Sequence, residues 1–237
     1  MMPATGRILV VVTNTGEYQK VGMRTGLWLG ELTHFWDVAE GQGFTMDIAS
    51  PQGGGVPLDP ESLSATVLAE LGTEERYRDR QFMDLLDDTL RVADVNPEDY
   101  DAIYLTGGHG VMFDFPQSPE LEALMARFYE SGRVVSTVCH GATGLLNVDL
   151  STGEPLVRGK RVTGFSWPEE ELAHRADAVP YNLEEQLRKL GAEYTAADEP
   201  FEPYVVEDGN LVTGQNPGSA RGVGEAVVRR LLAPTGG

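Results

Sequence analysis

The stretch GRVVSTVCHGATGLL, Gly132 to Leu146, holds the only cysteine in 237 residues, Cys139, where a β-branched run gives way to small residues. One cysteine cannot form an internal disulfide, so its role lies between packing and chemistry. As packing, it is a small hydrophobe at the end of a buried strand. As chemistry, it is a nucleophile on a strand-to-helix turn, where Gly141, Ala142 and Gly144 leave room for a strained junction like a nucleophile elbow. At such a junction the sulfur stands over the sheet, the backbone N–H of His140 faces a developing oxyanion, and the N-terminus of the following helix favours the thiolate.

Two further stretches carry chemistry-bearing residues. LTGGHG, Leu105 to Gly110, ends another apolar run; Gly107 and Gly108 let the backbone approach a ligand and offer N–H groups to negative charge, although a glycine pair alone also describes a plain loop. Glu31 sits among Leu27, Trp28, Leu32, Phe35 and Trp36, so a helix there carries its carboxylate close to the apolar face. The ordinary fate of such a glutamate is a solvated head; the functional alternative is a buried carboxyl that shares a proton with a nearby thiol. The other histidines, His34, His109 and His174, lack metal-ligand spacing and no second cysteine exists, so no zinc site is expected; His109 lines a pocket only by virtue of its loop. Gly53-Gly54-Gly55 reads as a flexible loop, without the lysine and hydroxyl residue of a phosphate-binding loop.

These residues need a scaffold that gathers strand ends. RILVVVTN, FTMDIASP, DAIYLTGG and RVVSTVC read as buried strands; LWLGELTHFWDVAEGQG and SPELEALMARFYESG, the latter opened by Ser118 and closed by Gly132, read as crossover helices. Such alternation predicts an α/β doubly wound, mostly parallel sheet with helices on both faces, whose ligands sit at the carboxyl ends of the strands. Further on come a short strand in KRVTGF, a helix in YNLEEQLRKLGA, a hairpin in YVVEDGNLVTGQ with Asp208-Gly209 as its turn signal, and a last helix in GSARGVGEAVVRRLL. The acidic segment 58–96, with a helical pattern in RQFMDLLDDTLRVA, reads as an insertion within one domain spanning 1–237.

Composition excludes several classes of function. A net charge of −19 argues against nucleic acid or an anionic membrane as partner, and no apolar stretch is long enough to span a bilayer. MMPATGRILVVV lacks the charged n-region and long h-region of a signal peptide, and a lone thiol suits a reducing cytoplasm.

Taken in order, TGGHG with DFP after it, VCHGATGLL, VTGF with EEE after it, and LVTGQNPGSA resemble the ThiJ/PfpI superfamily of glutamine-amidotransferase-like proteins, and the branch with cofactor-independent glyoxalase III enzymes and heat-inducible chaperones most. The resemblance runs from Ile8 to Leu232. It implies a flavodoxin-like sheet, Cys139 as nucleophile, His140 beside it, Glu31 against the sulfur, and an acidic partner for the histidine at Glu170, with Glu169 and Glu171 as the alternatives. It further implies a homodimer, a small aldehyde as substrate, and neither metal nor organic cofactor. Methylglyoxal carries an electrophilic aldehyde to which a thiolate adds; the Gly107 and Gly108 loop and the His140 amide would hold the oxyanion. The same superfamily contains proteins resembling holding chaperones, redox sensors and peptidases, and a reactive cysteine would also serve a sensor. Amide transfer is disfavoured by the absence of an HPE-like motif downstream. One departure is Phe35, where the family often has proline after ELTH.

Overall fold

The computed structural model describes residues 5–233; residues 1–4, the start of the stretch read for a signal peptide, and the last four lie outside them. Its strands are β1 (Gly6–Val11), β2 (Phe44–Ser50), β3 (Leu90–Arg91), β4 (Ala102–Leu105), β5 (Val134–Val138), β6 (Arg161–Val162), β7 (Glu193–Tyr194), β8 (Val205–Asp208) and β9 (Leu211–Gly214). Within β1 the residues divide by parity: Leu9 and Val11 join one apolar core, Ile8 and Val10 the other. A strand covered on both faces requires that division. β1 accordingly lies inside a seven-stranded sheet ordered β3-β2-β1-β4-β5-β9-β8, in which only β8 runs antiparallel to its neighbour.

Helices α1 (Leu29–Gly41), α2 (Ala65–Leu71), α3 (Glu74–Arg78), α4 (Arg80–Met83), α5 (Val111–Asp114), α6 (Pro119–Glu130), α7 (Trp167–Leu172), α8 (Leu183–Lys189) and α9 (Ala220–Leu232) complete the chain. α1 and α9 share one core through Leu32, Phe35, Val223 and Val227, whereas α6 fills the other with Leu121, Met125 and Phe128. The sheet is therefore doubly wound and flavodoxin-like. Chain order reverses between β1 and β4, which leaves the crevice at their carboxyl ends open for a ligand. No helix among the described residues is long and apolar enough to cross a membrane.

Three local readings of the sequence are corrected. RQFMDLLDDTLRVA is not one helix: α4 ends at Met83, a 3-10 turn follows, then β3 at the sheet edge, and a second 3-10 turn begins at Val92. Asp87 and Asp88 put two poor helix formers where the pattern needed continuity. The short strand read in KRVTGF is present as β6, which pairs with β7 outside the main sheet. The hairpin turn falls one residue later than read, on Gly209 and Asn210, with Gly209 at φ 59°. After Cys139 the chain forms a 3-10 segment to Leu145 in place of an α-helix.

Segment 58–96 also supports α1. Trp28, at the helix start, offers no capping side chain, and the Leu29 amide donates instead to Ser62 Oγ at 3.2 Å. Asp59 accepts from Thr25 Oγ1 at 2.9 Å and ties the same loop. These contacts fix the first turn of α1, which carries Glu31.

Candidate active site

Cys139 follows β5 directly and has φ 57°, a left-handed backbone at a residue that is not glycine. Such a conformation costs about 1–3 kcal/mol and persists only where its surroundings impose it. Here they do: a side chain on Gly141 would lie 2.5 Å from the carbonyl oxygen of Leu105, so the chain can turn beneath β4 only with glycine there. The elbow leaves the sulfur beside His140, whose Nδ1 is 3.3 Å away.

His140 Nε2 reaches Glu170 Oε2 at 2.7 Å, and the other carboxylate oxygen, Oε1, lies 2.7 Å from Nε2 of His109. One glutamate thus bridges two imidazoles whose ring centres are 4.1 Å apart. Burial opposes ionisation of Glu170, but the His140 charge and hydrogen bonds from both rings outweigh it and hold the carboxyl well below the usual range. His109 is pushed down, first by burial and then by the neighbouring His140.

α7 explains why Glu170 is the partner among three successive glutamates. Ser166 caps the helix in a capping box with Glu169, whose remaining oxygen accepts from Phe201 N at 2.8 Å and Asn216 Nδ2 at 2.9 Å. Glu171 accepts from the Trp167 indole at 3.0 Å. Only Glu170 faces the histidines.

Glu31 is fully buried, as its place on the apolar face of α1 allowed. Its Oε2 accepts the Gly107 amide at 2.6 Å, and its Oε1 makes no hydrogen bond. Desolvation raises the carboxyl to about 8, against the opposing pull of a bond to the Cys139 thiol and of the Gly107 amide. A side chain on Gly107 would stand 2.6 Å from that carboxylate and 3.0 Å from Cys139 Cβ, which accounts for the glycine. Tyr104 donates to the Glu31 carbonyl at 2.8 Å and stacks on Phe35 at 3.7 Å, so Phe35 belongs to the core and does not wall the cavity.

Three expectations change as a result. Gly107 offers no free N–H to an oxyanion, because its N–H is committed to Glu31 at 2.6 Å. The thiol is not lowered by a helix terminus: burial and then the Glu31 charge push it well above its ordinary value, and only the His140 amide pulls the other way. His109 is not scattered from the chemistry, since its loop brings it onto Glu170. His34 and His174 stay apart, the first bonded to the Leu71 carbonyl at 2.8 Å and the second exposed.

A cavity of about 260 Å³ opens over the sulfur, walled by Trp28, Phe165, Phe201 and Pro217, with Glu31, His109 and His140 at its base. The aromatic walls and Glu61 at the cavity were invisible as a group in the sequence. Among the described residues, His109, His140 and Glu170 form the only cluster with metal-ligand geometry, their ligand atoms lying within 4.8 Å of one another. Both carboxylate oxygens there already accept from imidazoles, so an ion would have to displace those bonds.

The sequence pattern of the DJ-1/PfpI family matches residues 25–230. The chain belongs to that family. It is 31% identical over 231 residues to glyoxalase 3 of Candida albicans, covering 94% of this chain and 97% of the relative. It is 33% identical over 227 residues to the glutathione-independent glyoxalase HSP31 of Saccharomyces cerevisiae, covering 92% and 94%. Among solved structures, the Rapid Encystment Protein 24 KDa of Francisella tularensis superposes with TM-score 0.90 at 34% identity over 96% of this chain and all of that one.

Proposed function

We propose that this DJ-1/PfpI protein is a glutathione- and cofactor-independent glyoxalase that converts methylglyoxal or a related small dicarbonyl to a hydroxy acid. The observation that carries the reading is a sulfur flanked by an imidazole at 3.3 Å and a fully buried carboxyl at the base of one largely apolar cavity. Relatives named as glutathione-independent glyoxalases support it.

In this reading His140 takes the Cys139 proton and returns it to the aldehyde oxygen as the C–S bond forms, giving a hemithioacetal. His140 then removes the hydrogen from that carbon while Glu31 donates its proton to the neighbouring ketone oxygen, giving an enediol. His140 reprotonates the second carbon, and Glu31 recovers a proton from the first hydroxyl. The product is a thioester on Cys139, which water releases as the hydroxy acid. Glu31 can donate at neutral pH because burial keeps its proton on up to about pH 8. Glu170, ionised, orients the imidazole. The protein is assigned to the cytoplasm as a homodimer; gel filtration at the mass of two chains checks the second point.

Purified protein incubated with methylglyoxal and no glutathione should yield lactate. A reduced, folded sample that yields none would remove the glyoxalase assignment.

A further inference from the structure

Both rings reach Glu170 through Nε2, so that nitrogen donates to the carboxylate and Nδ1 is the nitrogen left to act as a base in a neutral ring. The two open nitrogens differ in what they meet. That of His140 faces the sulfur at 3.3 Å. That of His109 takes no partner among the described residues, while the ring lines the cavity and keeps 10% of its side chain exposed. Burial and the neighbouring ring favour a neutral His109, the form a base requires. The rings of Tyr18 and Phe165 pack around it, their centres 5.2 Å and 6.1 Å from that of His109.

We propose that His109 is a second general base, dedicated to the water that releases the acyl group from Cys139. The inference rests on the reading of Cys139 as a nucleophile that passes through a thioester. Once the thioester has formed, Glu31 again holds its proton and is no base, and the open nitrogen of His140, 3.3 Å from the sulfur, is the one placed to protonate the departing thiolate; His109 is the remaining base lining the same cavity. Water gives one proton to His109 Nδ1 as its oxygen bonds to the acyl carbon. The C–S bond breaks with its electron pair on sulfur, the sulfur takes a proton from the medium by way of His140, His109 returns the first water proton to solvent, and the carboxylic acid gives up its remaining proton through the same base and leaves as its anion. A site with two histidines on one carboxylate thereby divides formation and release of the acyl group between them.

The test uses the full-length protein with p-nitrophenyl acetate, which acylates a reactive thiol without needing any dicarbonyl chemistry. His109→Gln keeps an N–H donor for Glu170 but has no basic nitrogen. The expected result is one equivalent of nitrophenolate released rapidly, followed by a steady rate about 10² or more below wild type, within the usual range for losing a general base. The acetyl group should accumulate on the Cys139 peptide by mass spectrometry, and added imidazole should restore its release. His109→Asn provides a second substitution should His109→Gln fail to fold. Release at the wild-type rate in a folded variant would overturn the inference, as would acylation slowed as much as release, which marks a merely positioning role. A wild type that never acylates Cys139 also overturns it. A wild type that turns over the ester yet leaves methylglyoxal untouched sinks the glyoxalase reading and leaves His109 in place.

Discussion

A wide concavity on the surface and the smaller one over Cys139 are both built around charged groups, and their physics is opposite. The first, about 830 Å³, lies among Asp37, Arg76, Arg78 and Asp79, where Arg76 meets Asp37 at 2.8 Å and Glu40 at 2.5 Å with all three side chains at least a quarter exposed or close to it. Water screens those pairs, so each contributes little to stability. The second, about 260 Å³, buries Glu31 completely and leaves Glu170 and His140 at 5% and 1% exposure. There, desolvation raises one carboxyl to about 8 while two imidazoles force another down. Two glutamates of identical chemistry become a donor and an anion because their surroundings differ. Size does not mark a reactive site; exclusion of water from titratable groups does.

The largest effect expected is at the sulfur. Cys139→Ser should reduce lactate formation from methylglyoxal to background with little change in melting temperature, because the substitution is nearly isosteric and no second thiol exists to replace it. Retained turnover would move the chemistry out of the enclosed cavity.

Glu31→Gln should lower kcat by about 10² or more, since the amide fills the same volume without a transferable proton. The same variant sharpens the comparison through stability. The folded carboxyl keeps its proton up to about pH 8, against 4.5 for the free group, so folding takes up a proton between those values and wild-type stability falls as pH rises through them. The melting temperature of Glu31→Gln relative to wild type should therefore climb from pH 4.5 to pH 8 and level off beyond. A difference that is flat with pH would mean a solvated carboxyl.

The smallest effect belongs to the exposed region. Arg76→Ala should leave turnover unchanged and cost at most about 1 kcal/mol in denaturant unfolding, with most of that loss vanishing at high salt. A larger, salt-independent loss would show that the outer cluster is not screened.

How far this contrast can be read from sequence depends on the distance between the partners. The elbow was legible because its parts are adjacent: a β-branched run, Cys139, then small residues. The parallel sheet was legible for a similar reason, since strand burial on both faces writes itself into continuous apolar runs such as that of β1. Glu31 was only half legible; its helical face could be read, but the Gly107 amide that holds it lies 76 residues away. His109 and Glu170 are 61 residues apart, and no spacing rule joins a glycine-rich loop to the first turn of a distant helix. The loop GGHG was the available signal, and it pointed to its glycines before its histidine. The acidic segment 58–96 hid an edge strand because β3 is two residues long, too short for a period to show.

The account stands most directly on one claim, that an enclosed carboxyl keeps its proton beside the sulfur. Alkylation of Cys139 by iodoacetamide, followed against pH in wild type and Glu31→Gln, tests it. Below about pH 8 both proteins present the thiol with a neutral neighbour, and their rates should run together. Above it, wild-type Glu31 ionises and its charge disfavours the thiolate, so the glutamine variant should become the more reactive of the two. Curves that coincide across the whole range, or a variant that is slower above pH 8, would contradict it.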